Sequence, residues 1–122
     1  MKLTKNFPLS EFQSKDGAPF PDEVLPQLQE LAENLQIIRD HIGMPLYVNS
    51  GYRSTEHNKA IGGKPNSYHP KGMASDLSCD LEPFQLYQEI EKLMLAGKIK
   101  KGGLAEYKTF VHYDIRGWFA TW

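Results

Sequence analysis

The apolar residues Val24, Leu28, Leu31, Leu35, Ile38 and Ile42 recur at alternating steps of four and three, a rhythm that fits one stripe of an amphipathic α-helix. Pro21 and Asp22 stand where helices favour proline and acid at their start, and Gly43 stands where they end. Pro83 opens a second long helix in which Leu86, Ile90, Leu93 and Met94 share a face, ending at Gly97. Between and after the two helices the pattern changes. "PLYV" at 45–48 reads as a short strand running into the turn "NSGYRS", and "MASDLSC" at 73–79 alternates as a strand does. A short helix over 55–61 is capped by Ser54 or Thr55, with Gly62 and Gly63 beyond it. "GGLAEY" and "TFVHYDIRG" form a hairpin around Lys108. No repeat, linker or low-complexity tract interrupts the 122 residues, so the expectation is a single domain over 1–122. Its class is α+β, with two main helices packed on one face of a small, mostly antiparallel sheet.

Charge and cysteine usage narrow the possible partners. Fourteen Lys and Arg against fifteen Asp and Glu leave a net charge of -1, which provides no electrostatic footprint for nucleic acid or an anionic membrane. The one dense cationic run, "KIKK" at 98–101, follows a helix end, where positive charge suits both the dipole and solvent. Cys79 is the only cysteine, so no intramolecular disulfide supports the fold. The first residues, "MKLTKNFPLSEF", lack the apolar core of a signal peptide, and no run of about 18 apolar residues occurs. Synthesis in the cytoplasm is the expectation, with later release the route to any target outside it.

The chemistry gathers in the second half. Alternation along Phe110 to Ile115 points Phe110, His112 and Asp114 to one face and Val111, Tyr113 and Ile115 to the other. Valine and isoleucine suit a core, so the face carrying His112 and Asp114 needs another explanation. If "MASDLSC" lies in the same sheet, Asp76 approaches His112 across it, and His69 reaches in from the loop "KPNSYHPKG". Two imidazoles and a carboxylate with an open position form the ligand set of catalytic zinc. The bland alternative has Asp76 capping a loop and His112 hydrogen-bonded in the sheet. His41 and His57 fall on helical segments without convergent partners and read as structural.

The stretch "SGYRSTEHNKAIGGKPNSYHPKGMASDL", followed by "GGLAEYKTFVHYDIRGWFATW", resembles the M15 peptidases, the D-alanyl-D-alanine carboxypeptidase and phage endolysin group of zinc peptidases. The landmarks are the Ser50–Ser54 turn, Ser67, His69, Asp76 and His112. The opening "NFPLSEFQSKDG" and the first helix also resemble the small single-domain members. The resemblance implies that His69, Asp76 and His112 bind Zn2+ in a fold shared with the hedgehog signalling domain. It implies substrates among peptidoglycan stem peptides or short peptides containing D-alanine. By the same resemblance Arg53 faces the site, where its fork binds a substrate carboxylate or steadies an oxyanion. Ser67 would orient the loop or a ligand.

Some family branches carry an acidic residue three positions before the last histidine, but here that position is Thr109, which cannot take a proton from water. Asp114 is the first candidate for the general base because it shares a strand face with His112; its alternative is to fix the imidazole by a hydrogen bond. Glu106, in the facing strand, is the second. Tyr107 either donates to the oxyanion or is a buried aromatic. Two other readings remain at this level: a metal-bearing binding module without turnover, and a non-haem iron oxygenase, whose facial site uses the same ligand trio. The second of these needs more strands than the chain offers.

Overall fold

The structure, a computed structural model, describes residues 1–122. A four-stranded antiparallel sheet has the order β3 (Tyr47–Ser50), β4 (Ala74–Ser78), β6 (Val111–Asp114), β5 (Leu104–Glu106). A separate two-stranded ribbon, β1 (Lys2–Thr4) and β2 (Phe7–Pro8), precedes it; this ribbon has too few residues to show a period in the sequence. The α+β class and the antiparallel sheet are as the sequence predicts. β3 begins later than "PLYV" and runs on into the expected turn, because Val48 pairs with Leu77 and Ser50 with Asp76. Cross-strand pairing extends the strand where local turn propensity would end it.

Helix α1 (Leu25–Ile42) follows a single 3-10 turn at Asp22–Val24 and stops at Gly43, whose φ of 68° is the left-handed cap that glycine adopts without strain. Leu28, Leu31, Leu35 and Ile38 are fully buried, each stabilising the fold by about 2 kcal/mol through lost apolar exposure. Asn34 interrupts that stripe and is also buried, yet it is satisfied: its amide donates to the Glu30 carbonyl, and its oxygen accepts from the Lys100 N–H at 2.7 Å. The bond ties the "KIKK" segment to α1, and Ile99 within that run is buried rather than solvated. The short helix α2 (Thr55–Ala60) is capped by the Ser54 hydroxyl, and helix α3 (Pro83–Leu95) starts with a capping box between Glu82 and Gln85 and buries Leu86, Ile90, Leu93 and Met94.

Helix α3 packs on β5 and β6, and α1 packs on α3 and β1. One cluster of 20 buried apolar residues joins both helices to Leu77, Leu104, Val111 and Tyr113 of the sheet. The register then places Ser50, Asp76, His112 and Ala105 in one row across all four strands. Because strand side chains alternate, the row turns away from the face that Leu77, Val111 and Tyr113 give to the core. No helix is long and apolar enough to cross a membrane.

Candidate metal centre

Two residues of the candidate centre come from adjacent strands and one from a loop. Asp76 and His112 are cross-strand partners on β4 and β6. His69 opens a 3-10 turn, His69–Lys71, that ends on Gly72 at φ 73°. Ser67 holds the approach to this turn, its hydroxyl accepting the His69 N–H at 3.1 Å. All three side chains are buried, and one ligand atom from each lies within 4.8 Å of the others.

The orientation of the rings is the informative feature. His69 Nδ1 is 2.7 Å from the Gly51 carbonyl oxygen, a pure acceptor, so Nδ1 carries the proton and Nε2 presents a lone pair. That lone pair faces Asp76 Oδ1 at 3.4 Å. His112 is arranged the other way round: Nε2 donates to Asp114 Oδ2 at 2.7 Å, leaving Nδ1 to face the same Asp76 Oδ1 at 3.3 Å. Two neutral imidazole lone pairs directed at one carboxylate oxygen repel it unless a cation lies between them. The donor set of two nitrogens and one oxygen therefore fits a divalent metal such as zinc. With protons as the only cations, burial works to raise the Asp76 carboxyl, but hydrogen bonds from His112 and His69 outweigh it and hold the group well below the usual carboxylate range.

The remaining contacts fix these ligands. Arg53 bonds Asp76 Oδ2 through Nη2 at 3.1 Å, Ser50 through Nε at 3.1 Å and Asn58 through Nη1 at 3.4 Å. The guanidinium thus holds one Asp76 oxygen and leaves the other facing the two imidazoles. Gly51 must be glycine, since a Cβ there would lie 2.9 Å from the Phe12 Cα; the turn carrying Arg53 lies directly on the N-terminal segment.

The two carboxylates considered as bases lie elsewhere. Asp114 has no exposed surface: its oxygens accept the Gly103 N–H, the Arg116 N–H, two guanidinium bonds from Arg116 at 2.9 and 2.7 Å, and the His112 ring. Burial works to raise its carboxyl, but the bonds from His112 and Arg116 dominate and depress it. Sharing a strand face with His112 puts Asp114 behind the ring rather than in front of it. Glu106 pairs with Val111, so it leaves the sheet on the opposite face from His112, and it is exposed away from the cleft. Asp76 is the only side-chain carboxylate among the residues lining the cleft.

The cleft over the centre is lined by side chains with weak sequence signals. Trp122 lies with its ring centroid 5.0 Å from that of His112 and donates its indole N–H to the Tyr107 hydroxyl at 2.8 Å. Tyr107 is 41% exposed and stacks on Phe110, so it is a cleft wall and not a buried aromatic. Lys64 and Arg116 also line the cleft. Trp122 falls outside every periodic segment; backbone bonds of Gly117 to Lys101 and of Ala120 to Gly102 and Leu104, with the Thr121 hydroxyl on that of Tyr87, bring this segment back to the site. His41 pairs with Glu89 on the helical layer, and the backbone N–H of His57 is bonded by the Ser54 cap; neither joins the centre.

No curated protein sequence matches the chain. The sequence model of the family described as Peptidase M15 matches residues 3–114, which runs from β1 to the last residue of β6 and includes all three converging ligands. The chain belongs to the Peptidase M15 family.

Proposed function

We propose that the protein is a zinc-dependent peptidase that hydrolyses short peptides of bacterial cell-wall peptidoglycan, acting as a carboxypeptidase or an endopeptidase on stem peptides that contain D-amino acids. The observation that carries the metal assignment is the pair of imidazole lone pairs aimed at one Asp76 oxygen. His69 through Nε2, Asp76 through Oδ1 and His112 through Nδ1 would hold the ion. When bound, zinc supplies Lewis acidity to a scissile carbonyl and lowers the pKa of water to about 7.

The chain's own groups complete the site. Arg53 spends three of its N–H groups on Ser50, Asn58 and Asp76, leaving the rest of the fork to meet negative charge on a substrate oxygen. The Tyr107 hydroxyl accepts the Trp122 indole N–H, so its own proton remains available to a substrate oxygen. Asp114 acts as a positioning residue that fixes the His112 tautomer. One observation favours a second reading, a metal-bearing binding module without turnover: Asp76 is the only side-chain carboxylate in the cleft.

Purified protein loaded with zinc and assayed on peptidoglycan fragments and D-Ala-D-Ala decides between them. Cleavage abolished by a chelator and restored by zinc, with loss of about a thousandfold or more in His112→Ala, is expected of the peptidase. Stoichiometric zinc without cleavage of any wall peptide leaves the binding module. Full activity without metal sinks both readings.

A further inference from the structure

Three cations line the cleft, and two of them are already neutralised. Arg53 pairs with Asp76 and Arg116 with Asp114. Lys64 has no carboxylate partner. Its ammonium lies 6.0 Å from the Trp122 ring centroid, and that ring in turn covers His112. The unpaired charge is thus separated from a metal-binding histidine by one indole.

The loop holds Lys64 by its backbone and leaves the side chain free. Gly62 takes φ 76°, and a Cβ at Gly63 would overlap the Asn58 amide. The Lys64 carbonyl accepts both the Asn58 Nδ2 bond and the Ser67 N–H, each at 3.0 Å. Asn58 is buried and also accepts from Arg53, so one side chain steadies both the lysine's anchor and the arginine that holds Asp76. An exposed, flexible ammonium on a fixed anchor suits capture of an anion arriving from solvent. The neighbouring indole offers an apolar wall to a small side chain.

Resting on the peptidase reading above, we infer that Lys64 recognises a free carboxylate of the substrate, with Trp122 as the wall beside it, so that the preferred peptides carry a carboxylate close to the scissile bond. That carboxylate is either the C-terminus or an acidic side chain.

The test measures binding and needs no turnover, so an inactive but zinc-loaded protein challenges only the earlier reading. Zinc-loaded wild type, Lys64→Ala and Lys64→Arg are titrated calorimetrically with N-acetyl-D-alanine, its C-terminal amide and N-acetyl-D-isoglutamine. Wild type should bind one of the two acids about tenfold more tightly than the amide, the range of a charge-assisted hydrogen bond. The preference should vanish in Lys64→Ala and persist in Lys64→Arg. Tighter binding of N-acetyl-D-alanine assigns the carboxylate to a C-terminus, and tighter binding of the isoglutamine assigns it to a side chain. An undiminished preference in Lys64→Ala, or no preference in wild type, overturns the inference.

Discussion

The two walls of the cleft are built by different means. The inner wall, on β4 and β6, consists of buried charged and polar groups: Asp76 beside His112 by strand register, with Asp114 behind and held there by Arg116. The outer wall, formed by residues 62–68 with Tyr107 and Trp122, is largely exposed and is held by backbone bonds and ring contacts. Buried polar groups are costly to leave unpaired, whereas exposed ones exchange partners with water at little cost. Damage to the inner wall should therefore cost metal and stability, and damage to the outer wall should cost selectivity.

The largest effect should come from Gly102→Ala. A Cβ at Gly102 would overlap the Asp114 carbonyl, and backbone cannot rotate aside as a side chain can. A loss of about 3 kcal/mol in denaturant unfolding, with weakened zinc binding, is expected from such overpacking. Wild-type stability in this variant would show that the inner wall is not tightly packed. Asp114→Asn keeps the outline but replaces one accepting oxygen with an NH2 donor, so both the Arg116 pair and the hold on His112 Nε2 weaken, and zinc affinity should fall by about 10–100-fold. Competition with a chromophoric chelator measures this, and an unchanged affinity would remove Asp114 from the positioning role.

The smallest effect should arise at Asp16, an exposed residue that accepts hydroxyl bonds from Ser14 and Ser54 beside the Arg53 turn. Those bonds, Ser14 first, lower its pKa to about 2 from the ordinary 3.8. A depressed carboxyl stabilises the fold fully above the unfolded value, and this contribution is lost as pH falls through the folded value. The difference in melting temperature between wild type and Asp16→Asn should thus be small at pH 6 and shrink further between pH 4 and 2, with zinc affinity at pH 7 unchanged. A large loss of zinc at neutral pH would tie the outer scaffold to the inner wall and break the comparison.

Much of the frame was legible because its code is local. The stripe from Val24 to Ile38 and the face of Leu86, Ile90, Leu93 and Met94 are buried as their periods require. Alternation in "TFVHYDI" also separated core from site: Val111, Tyr113 and Ile115 join the core, while His112 faces the cleft. Alternation fixes a face but not a depth. It placed Asp114 on the side of His112 without showing that Arg116 and Gly103 would seal it in.

The sequence by itself determined the two helices, the strand faces and the trio His69, Asp76 and His112 as the groups to watch, because periods of 3.6 and 2 and the chemistry of ligand types are written within a few residues. Only the tertiary structure decided which ring nitrogen faces the centre, that Asp114 lies sealed against the far side of the His112 ring, that Arg53 grips Asp76, and that Trp122 and Lys64 border the cleft. Each of these depends on strand register or on a loop returning from a distance, and such contacts are chosen by the packing of the whole chain, not by the residues on either side.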